Sequence, residues 1–270
     1  MRRLLNQQPG RFSALCLSAL PFLLIVIVYL IASDLRLAEN PNDKLLPSLG
    51  SLKEAIVQAA FEPNRRTGEI QLWSDTAASL QRLILAVAIS ALLGLMFGLA
   101  TGVIPYFNAG LSPLIAVLSM IPPLAILPIL FILFGLGELS KIMLIVLGVA
   151  PCIMRELHLR VVDIPHEQII KAQTLGASTW QVIWRVVLPQ ILPRLLNAVR
   201  LTLGSAWLFL IAAEAIAAES GLGYRIFLLR RYLAMDTILP YVAWITLLAF
   251  LSDYLLRVVS RRLFPWAAKT

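Results

Sequence analysis

Six long apolar runs, separated by shorter polar connections, dominate the chain. Most of them approach the roughly 20 residues that a helix needs to cross a bilayer core of about 30 Å. The predicted spans cover residues 12–32, 83–104, 111–134, 142–154, 195–218 and 240–259. The fourth span is short unless its helix continues past Arg155, so its end stays open. The pattern therefore predicts an all-α polytopic membrane protein with about six transmembrane helices.

Three glycines in the second run share one helical face. Gly94, Gly98 and Gly102 are spaced by four residues, and residues four apart lie on the same side of a helix. Small residues at this spacing let a neighbouring transmembrane helix approach closely. We therefore predict that another helix packs against this face.

Prolines interrupt the third run. Pro122, Pro123 and Pro128 lack the N–H group that a continuous helix needs. Within a membrane, such breaks are tolerated where protein or a water-filled cavity meets the freed backbone groups. The break is therefore either part of a pathway wall or a packing kink.

A polar stretch at 33–79 separates the first two runs. Inside it, residues 48–61 place apolar side chains at a helical period. This pattern predicts an amphipathic helix that lies on the membrane surface or packs on the other spans.

The composition excludes a soluble enzyme. Hydrophobic residues make up 59% of the chain and charged residues 14%, with a mean hydropathy of +0.83, whereas soluble domains carry about 25% charged residues. The first run is also longer than the roughly 7–15-residue core of a cleaved signal peptide, and no small-residue cleavage site follows it. We therefore expect a retained membrane anchor.

The net charge of +8 indicates topology. The cations are scattered and lack the aromatic platform of a nucleic-acid surface, so no nucleic-acid partner is expected. If the N-terminus is cytoplasmic, the inside segments 1–11, 105–110, 155–194 and 260–270 carry an excess of Lys and Arg over acids, whereas the outside segments are balanced. Both termini are therefore expected in the cytoplasm.

No metal site or disulfide is expected. Cys16 and Cys152 lie in apolar runs without a Cys-x-x-Cys pattern. His158 and His166 have no partner at metal-ligand spacing.

The polar segment 155–194 predicts a helix–glycine–helix hairpin. Pro165 is placed at the first position of one helix, and Gly176 interrupts it, as expected for a left-handed turn. Ser178 begins a second helix, with Gln181 placed for a capping box. The second helix is expected to end at 186–189, close to the fifth span.

This hairpin resembles the loop signature of ABC importer permeases, which is E-A-A, three residues, Gly, nine residues, then I-x-L-P. Gly176 is followed ten residues later by Val186, and then by Leu188 and Pro189, at the spacing of the signature. The E-A-A positions read Ile-Lys-Ala at 170–172, so the leading Glu is absent.

Further segments are similar to the taurine, aliphatic sulfonate and nitrate permease group, in which this departure from E-A-A is familiar. They are Pro-Pro-Leu-Ala-Ile-Leu-Pro at 122–128, Phe-Gly-Leu-Gly-Glu-Leu-Ser-Lys at 134–141, Ala-Ala-Glu-Ala-Ile at 212–216 and Gly-Leu-Gly at 221–223. The resemblance covers residues 70–265.

The resemblance implies a type I ABC importer permease fold, with an N-terminal transmembrane helix and periplasmic segment at 1–79 and a permease core at 80–265. It implies a subunit of the bacterial inner membrane that forms the pathway for a small polar, anionic solute such as a sulfonate, taurine or nitrate. The implied partners are a second permease copy, two ATP-binding subunits, a periplasmic solute-binding protein and membrane lipid. Because the chain has no G-x-x-x-x-G-K-[ST] phosphate loop, it is expected to be no enzyme and to bind no cofactor, with ATP and Mg held by the partner ATPase.

The resemblance also implies site residues, with the hairpin docking into a groove of the ATPase. The residues expected to couple to the ATPase are Ala172, Leu175, Gly176, Ala177, Ser178, Leu188 and Pro189. The residues expected at the pathway or gate are Ser119, Pro122, Pro123, Ser205 and Glu214. The alternative for the hairpin is an ordinary solvated loop.

Charges inside the last two runs are candidates for function. Glu214 lies in the fifth run, where an acid is costly and indicates a functional site. Arg200 shares its helical face but lies about 21 Å away along the axis, too far to pair with it. We expect a gating or structural role for Glu214, with direct solute contact as the open alternative. In the sixth run, Asp253 and Arg257 predict a local salt bridge.

The rival interpretation is a self-sufficient channel or secondary transporter. Such a protein would need coupling charges in several spans, and many transporters show inverted repeats. The sequence shows no repeat and only Glu214 at depth. A membrane-embedded enzyme would need a nucleophile–base or metal constellation, which the sequence lacks.

Overall fold

The computed structural model describes residues 10–40, 43–63 and 68–267. Every regular element within these residues is helical, which confirms the all-α prediction. The α-helices are α1 (Arg11–Glu39), α2 (Leu49–Phe61), α3 (Gln71–Val103), α4 (Pro105–Met120), α5 (Leu127–Phe134), α6 (Glu138–Val162), α7 (His166–Thr174), α8 (Thr179–Val182), α9 (Leu188–Ala217), α10 (Leu222–Arg230) and α11 (Met235–Leu263). A 3-10 helix, Pro123–Ile126, precedes α5, and a turn of π-helix, Ile183–Val187, joins α8 to α9.

Within the described residues, five helical stretches are long and apolar enough to cross a membrane. They are Phe12–Glu39, Gln71–Val103, Glu138–Val162, Thr179–Ala217 and Met235–Leu263. Helix α4 and the segment Pro123–Phe134 meet the same criterion together but are bent by 86° at the break, so they form either a sixth, broken span or a re-entrant segment. The interruption predicted at Pro122 and Pro123 is therefore present as a sharp bend between two helical segments.

The core of the molecule lies where α3 packs along α6 and α6 packs against α9. The three glycines of α3 face α6, and an added Cβ at each would lie less than 3 Å from a side chain of that helix. Those side chains are Ile153 for Gly94, Leu157 for Gly98 and Val161 for Gly102. The predicted close approach of a second helix is confirmed, and its partner is α6.

The N-terminal helix α1 lies outside this core. The 18-residue apolar window of α1 has no buried residue. Its polar ties are to the segment before α2: the Tyr29 hydroxyl donates to the Pro47 carbonyl at 2.7 Å, and the Ser33 hydroxyl lies 3.1 Å from the Leu46 carbonyl. Helix α1 therefore presents most of its surface to the membrane or to another protein.

The predicted amphipathic helix is α2, and it packs on the spans α3 and α11. Its first turn is capped by Ser48, whose hydroxyl accepts from the Ser51 N–H at 3.2 Å. Ala55 and Ala60 are buried against the bundle. Of the two predicted placements, packing on the spans is the one observed.

The second span begins earlier than predicted, and the end of the fourth span, which the sequence left open, is now defined. Helix α3 begins at Gln71 instead of residue 83, so the expected domain boundary after residue 79 falls inside this helix. The first turns of α3 are polar, so their mean hydropathy is too low to be recognised as part of a span. Several of these polar side chains, such as Asp75, Ser79 and Arg82, are nevertheless buried. Helix α6 continues past residue 154 to Val162, because Leu157 and Val161 pack under the α3 glycines.

The predicted orientation depends in part on Arg2, Arg3 and Lys269, which lie outside the described residues. It therefore stays a prediction.

Candidate functional sites: an exposed hairpin and a buried charge network

The predicted hairpin consists of α7 and α8, joined at Gly176. Gly176 has φ +83°, a left-handed conformation that L-residues other than glycine rarely adopt. The Gly176 N–H donates to the Gln173 carbonyl at 2.9 Å, and the Ala177 N–H donates to the Ala172 carbonyl at 3.0 Å. These two bonds form a Schellman motif, which satisfies the last carbonyls of α7. The predicted left-handed glycine is confirmed.

The second half of the hairpin starts with the predicted capping box. The Gln181 side chain accepts from the Ser178 N–H at 2.8 Å, and the Ser178 hydroxyl accepts from the Gln181 N–H at 3.4 Å. Pro165, predicted as the first helical residue of α7, instead occupies the preceding N-cap position. The hairpin therefore has defined starts on both helices.

The prediction that the second helix ends at 186–189 is wrong. The chain stays helical from Thr179 through the π-turn into α9 as one stretch that ends at Ala217. The wider turn precedes Pro189, which has no N–H to donate to the preceding turn. The Gln190 amide also donates to the Gln168 side chain at 3.0 Å, which ties α7 to α9. The hairpin is thus continuous with a membrane span.

Large apolar side chains are exposed on the hairpin among polar ones. Leu175 is 88% exposed, Trp180 70%, Trp184 61% and Ile170 57%. Trp180 and Trp184 are four residues apart and share one helical face. Large exposed apolar side chains in one patch indicate a protein or membrane contact. The sequence interpretation missed both tryptophans.

Other predicted coupling residues lie on the inner side of the hairpin. Ala172 and Ala177 are partly buried against the molecule's own core. Leu188 and Pro189 are partly buried at the start of α9. These residues therefore face the rest of the molecule, whereas Leu175 is exposed on the outer surface of the hairpin.

At the opposite end of α9, a buried network surrounds Glu214. This side chain is fully buried and lies in the last turn of α9, one turn before Ala217. Its carboxylate accepts from the Ser79 hydroxyl at 2.8 Å, the Arg82 Nη1 at 2.7 Å and the Gly223 N–H at 2.8 Å. Glu214 therefore joins α3, α9 and the start of α10.

Arg82 connects this carboxylate to a second one. Its guanidinium forms a two-point contact with Glu138, in which Nη2 lies 2.8 Å from Oε1 and Nε also donates, and it donates to the Ser220 carbonyl at 2.8 Å. Lys141 pairs with the same Glu138 at 2.9 Å. Two cations and two carboxylates thus balance in charge. Arg82, Lys141 and Glu214 are buried, whereas Glu138 is exposed, so the network reaches the molecular surface at Glu138.

The same end of α3 holds the loop between α9 and α10. Asp75 accepts from the Gly221 N–H at 3.0 Å and pairs with Arg225 at 2.8 Å, and the Ser79 hydroxyl accepts from the Leu222 N–H at 2.9 Å. Burial disfavours the charged form of Arg225. The hydrogen bond and the negative charge of Asp75 outweigh this effect and raise the pKa of the Arg225 guanidinium. The loop is therefore held by fixed polar contacts.

Glycine is required in this loop for close approach. Gly221 has φ +124°, and an added Cβ there would lie within 3 Å of the Glu214 carboxylate. A Cβ on Gly223 would lie 2.7 Å from the Ile211 carbonyl. The Gly-Leu-Gly segment singled out in the sequence is the segment that closes over the buried acid.

The remaining predicted pathway residues lie elsewhere. Ser119 is partly buried, and its hydroxyl accepts from Arg155 at 3.1 Å. Pro122 is exposed, Pro123 is partly buried, and Ser205 is exposed on α9. Within the described residues, no hydrogen bond joins Glu214 to Ser119 or Ser205.

The predicted salt bridge between Asp253 and Arg257 is confirmed at 3.0 Å. Asp253 also pairs with Arg200 at 2.9 Å, a contact between α11 and α9 that the sequence interpretation missed. Arg200 thus pairs with Asp253, in agreement with the expectation that it lies too far from Glu214.

Known proteins resemble the chain over most of its length. The family described as "Binding-protein-dependent transport system inner membrane component" matches residues 90–265. The taurine transport system permease protein TauC of Escherichia coli (strain K12) is 44% identical over 196 residues, which are 72% of this chain and 71% of TauC. The putative aliphatic sulfonates transport permease protein SsuC of the same organism is 32% identical over 243 residues, which are 90% of this chain and 88% of SsuC.

A solved structure shares the fold. A chain from the inward-facing structures of the MetNI methionine ABC transporter aligns with a TM-score of 0.60 at 22% identity. The alignment covers 71% of this chain and 96% of that chain. At this identity the likeness concerns the fold alone, and it supports the type I permease architecture.

Proposed function

The chain belongs to the family of binding-protein-dependent transport system inner membrane components, and from this premise we propose that two copies of it form the pathway through which an ABC importer moves a small anionic solute. As a permease subunit of such an importer, it is a multi-pass inner-membrane protein without an ATP site of its own. The family implies separate ATP-binding subunits and a solute-binding protein. The ATP and Mg are assigned to the ATP-binding subunits.

The observation that supports the coupling role is the exposure of large apolar side chains on the hairpin. Leu175, Trp180 and Trp184 are exposed although the backbone beneath them is fixed by the Schellman motif and the capping box. A solvated loop would place polar side chains there. We assign these side chains to a groove of the ATP-binding subunit, in which their apolar surface is removed from water.

The hairpin can pass movement to the membrane because it has no flexible joint to α9. The helix that begins at Thr179 runs through the π-turn into the span, and Gln168 bonds across to Gln190. A displacement of the hairpin by closing ATPases therefore displaces α9. In this arrangement ATP energy reaches the pathway without any ATP chemistry on this chain.

Leu175→Asp tests the docking role. Burying a leucine contributes about 1.5–3 kcal/mol, so we expect about tenfold or more loss in co-purification of the ATP-binding subunit, together with loss of uptake. Gly176→Asp should act in the same way, because a left-handed residue with a side chain costs about 1–2 kcal/mol and the new side chain changes the docking surface.

The matched control is Gln173→Asp, which adds the same acid at an exposed position of α7. Membrane levels of the permease should stay near normal in all three variants, because the three substituted positions are exposed. Full ATPase association and uptake in Leu175→Asp and Gly176→Asp would exclude docking through this hairpin.

The pathway is assigned to the surfaces that the single chain leaves exposed. Helix α9 exposes Leu201, Ser205 and Leu208 along one side, a face that a second permease copy would cover. Arg155 is exposed beside Ser119 and offers a guanidinium that can bind an anion. These features, together with relatives named for taurine and aliphatic sulfonates, support a sulfonate-type solute.

Glu214 is assigned to a structural or gating role. Its carboxylate is fully buried and accepts hydrogen bonds from Ser79, Arg82 and the Gly223 N–H. Solute selection by this side chain would require it to leave those partners. The rival function, a self-sufficient channel or secondary transporter, has no support from the family match.

A further inference from the structure

A basic cleft lies between the beginning of α9 and the end of α11. It has a volume of about 390 Å³, and its polar lining is dominated by guanidinium groups. The arginines that line it are Arg194, Arg200, Arg257 and Arg261. Asn197 and Ser260 lie among them and add neutral hydrogen-bonding groups.

The positive charge of this cleft is only partly neutralised. Asp253 is shared by Arg200 and Arg257, at 2.9 Å and 3.0 Å. Within the described part of the chain, Arg194 and Arg261 have no ion pair. Two of the four guanidinium groups therefore share one carboxylate, and the other two, which have no ion pair among the described residues, can bind an anion.

The cleft lies at the same end of the bundle as the hairpin. A neighbouring cavity of about 360 Å³ shares Pro193 and Arg194 with it and is also lined by Asp163 and Pro165, which precede α7. In the proposed orientation this end of the molecule is cytoplasmic, and the inference rests on that orientation.

The aromatic and apolar side chains near the cleft are of the kinds found at the level of lipid headgroups. Phe264 lines the cleft and makes an edge-to-face contact with the exposed Trp266, with ring centroids 5.4 Å apart. Tryptophan is enriched at membrane–water interfaces. Two turns or more earlier on α11, Leu251 and Leu255 are exposed, as expected for side chains that meet acyl chains. The guanidinium groups thus lie beside the boundary between apolar and polar surface.

We infer that this cleft binds the phosphate group of an anionic phospholipid of the cytoplasmic leaflet. Arg194 and Arg261 supply charge and paired N–H donors to the phosphate oxygens, as guanidinium groups do for phosphate generally. Basic pockets between membrane helices on the cytoplasmic side are suited to such headgroups. A bound lipid would bridge α9 and α11 close to the hairpin and so restrain the helix that the hairpin moves.

The first experiment compares two lipids on the intact assembly. The purified transporter, with its ATP-binding subunits, is titrated with phosphatidylglycerol and with phosphatidylcholine under native mass spectrometry. Phosphatidylglycerol is expected to bind clearly more tightly. Equal binding of the two lipids to the unaltered transporter would overturn the inference, whatever the variants do.

The variant arm locates the site. The double change Arg194→Gln and Arg261→Gln is expected to weaken phosphatidylglycerol binding by about thirtyfold, since each cation near an anionic surface contributes a several-fold effect. Arg262→Gln is the matched control, because Arg262 is exposed at the same end of α11 and does not line the cleft. Equal weakening in the double variant and in the control would show a general charge effect and contradict a defined site.

Two further outcomes separate other occupants of the cleft. Competition by glycerol phosphate as strong as by the whole lipid would identify a soluble anion as the ligand and overturn the lipid assignment. Loss of the ATP-binding subunit in the double variant, with phosphatidylglycerol binding retained, would make the cleft a protein interface. Retained ATPase association with lost lipid binding is the result that the inference requires.

Discussion

Replacing Glu214 by glutamine keeps the shape of this buried side chain but removes its charge and one of its acceptor oxygens. In the native protein, Oε1 accepts from Arg82 at 2.7 Å and Oε2 accepts from the Gly223 N–H at 2.8 Å. The Ser79 hydroxyl donates to the same carboxylate. The amide nitrogen of glutamine is a donor, so it would face either the guanidinium or the backbone N–H, donor against donor.

The size of the effect follows from what each partner keeps. A buried N–H left without an acceptor costs about 1–3 kcal/mol. Arg82 retains Glu138 and the Ser220 carbonyl, so it loses only part of the roughly 3–5 kcal/mol that breaking a buried ion pair costs. We expect the free energy of unfolding to fall by about 2–4 kcal/mol.

The assay combines stability with transport. Thermal unfolding of the assembled transporter should shift to lower temperature in Glu214→Gln, and uptake of taurine and of an alkanesulfonate should fall by the same factor. Glu219→Gln is the control, because Glu219 is exposed in the adjoining loop. An unchanged unfolding temperature together with an altered ratio of taurine to sulfonate uptake would refute the structural role and indicate contact with the solute.

The remaining predictions concern helix packing and topology. Gly98→Val should prevent a stable fold, because an added Cβ would lie 2.7 Å from the Leu157 side chain and 3.0 Å from the Met154 carbonyl. Gly110→Val should be tolerated, because a Cβ at Gly110 meets nothing within 4 Å. Protein levels in the membrane and thermal unfolding measure both effects, and normal stability of the Gly98 variant would contradict the packing of α3 on α6. A reporter active only in the periplasm should be inactive when fused after Thr270 and active when inserted near Asn64, two positions outside the described residues; the reverse pair of results would invert the proposed orientation.

Local features of this protein could be read from sequence because neighbouring residues determine them. The glycine stripe of α3, the left-handed Gly176 and the capping box at Ser178 each depend on spacings of a few residues, and all three are present. The number of spans followed from the length of apolar runs, since the thickness of a bilayer fixes that length.

Contacts between distant segments could not be read in this way. Ser79 and Arg82 meet Glu214 across 135 and 132 positions of the chain, and no local pattern indicates that pairing. The same buried polar groups lowered the hydropathy of the first turns of α3, so the span was predicted to start too late. The sequence offered one sign of this network: Arg82 is a charged residue directly before the apolar run that begins at residue 83.

The helix–glycine–helix hairpin is present where it was predicted, but the large apolar side chains exposed on it were not predicted. The signature drew attention to small residues such as Ala172 and Ala177, which pack inward. Trp180 and Trp184 became candidates only when their exposure was known, because an isolated tryptophan in a membrane protein is equally compatible with core or interface.

The unbroken helix from Thr179 to Ala217 gives the molecule the mechanics of a lever. Its 39 residues correspond to a rod of about 58 Å at a rise of 1.5 Å per residue, with the hairpin at one tip and the Glu214 carboxylate near the other. Tilting such a rod by about 5° around one tip displaces the other by about 5 Å, more than the length of a hydrogen bond. When the helix tilts, the hydrogen bonds of Glu214 to Ser79 and Arg82 must either be kept, so that the first turns of α3 move with α9, or break. In the proposed coupling, a movement of the hairpin is therefore carried by one continuous helix to the residues around Glu214.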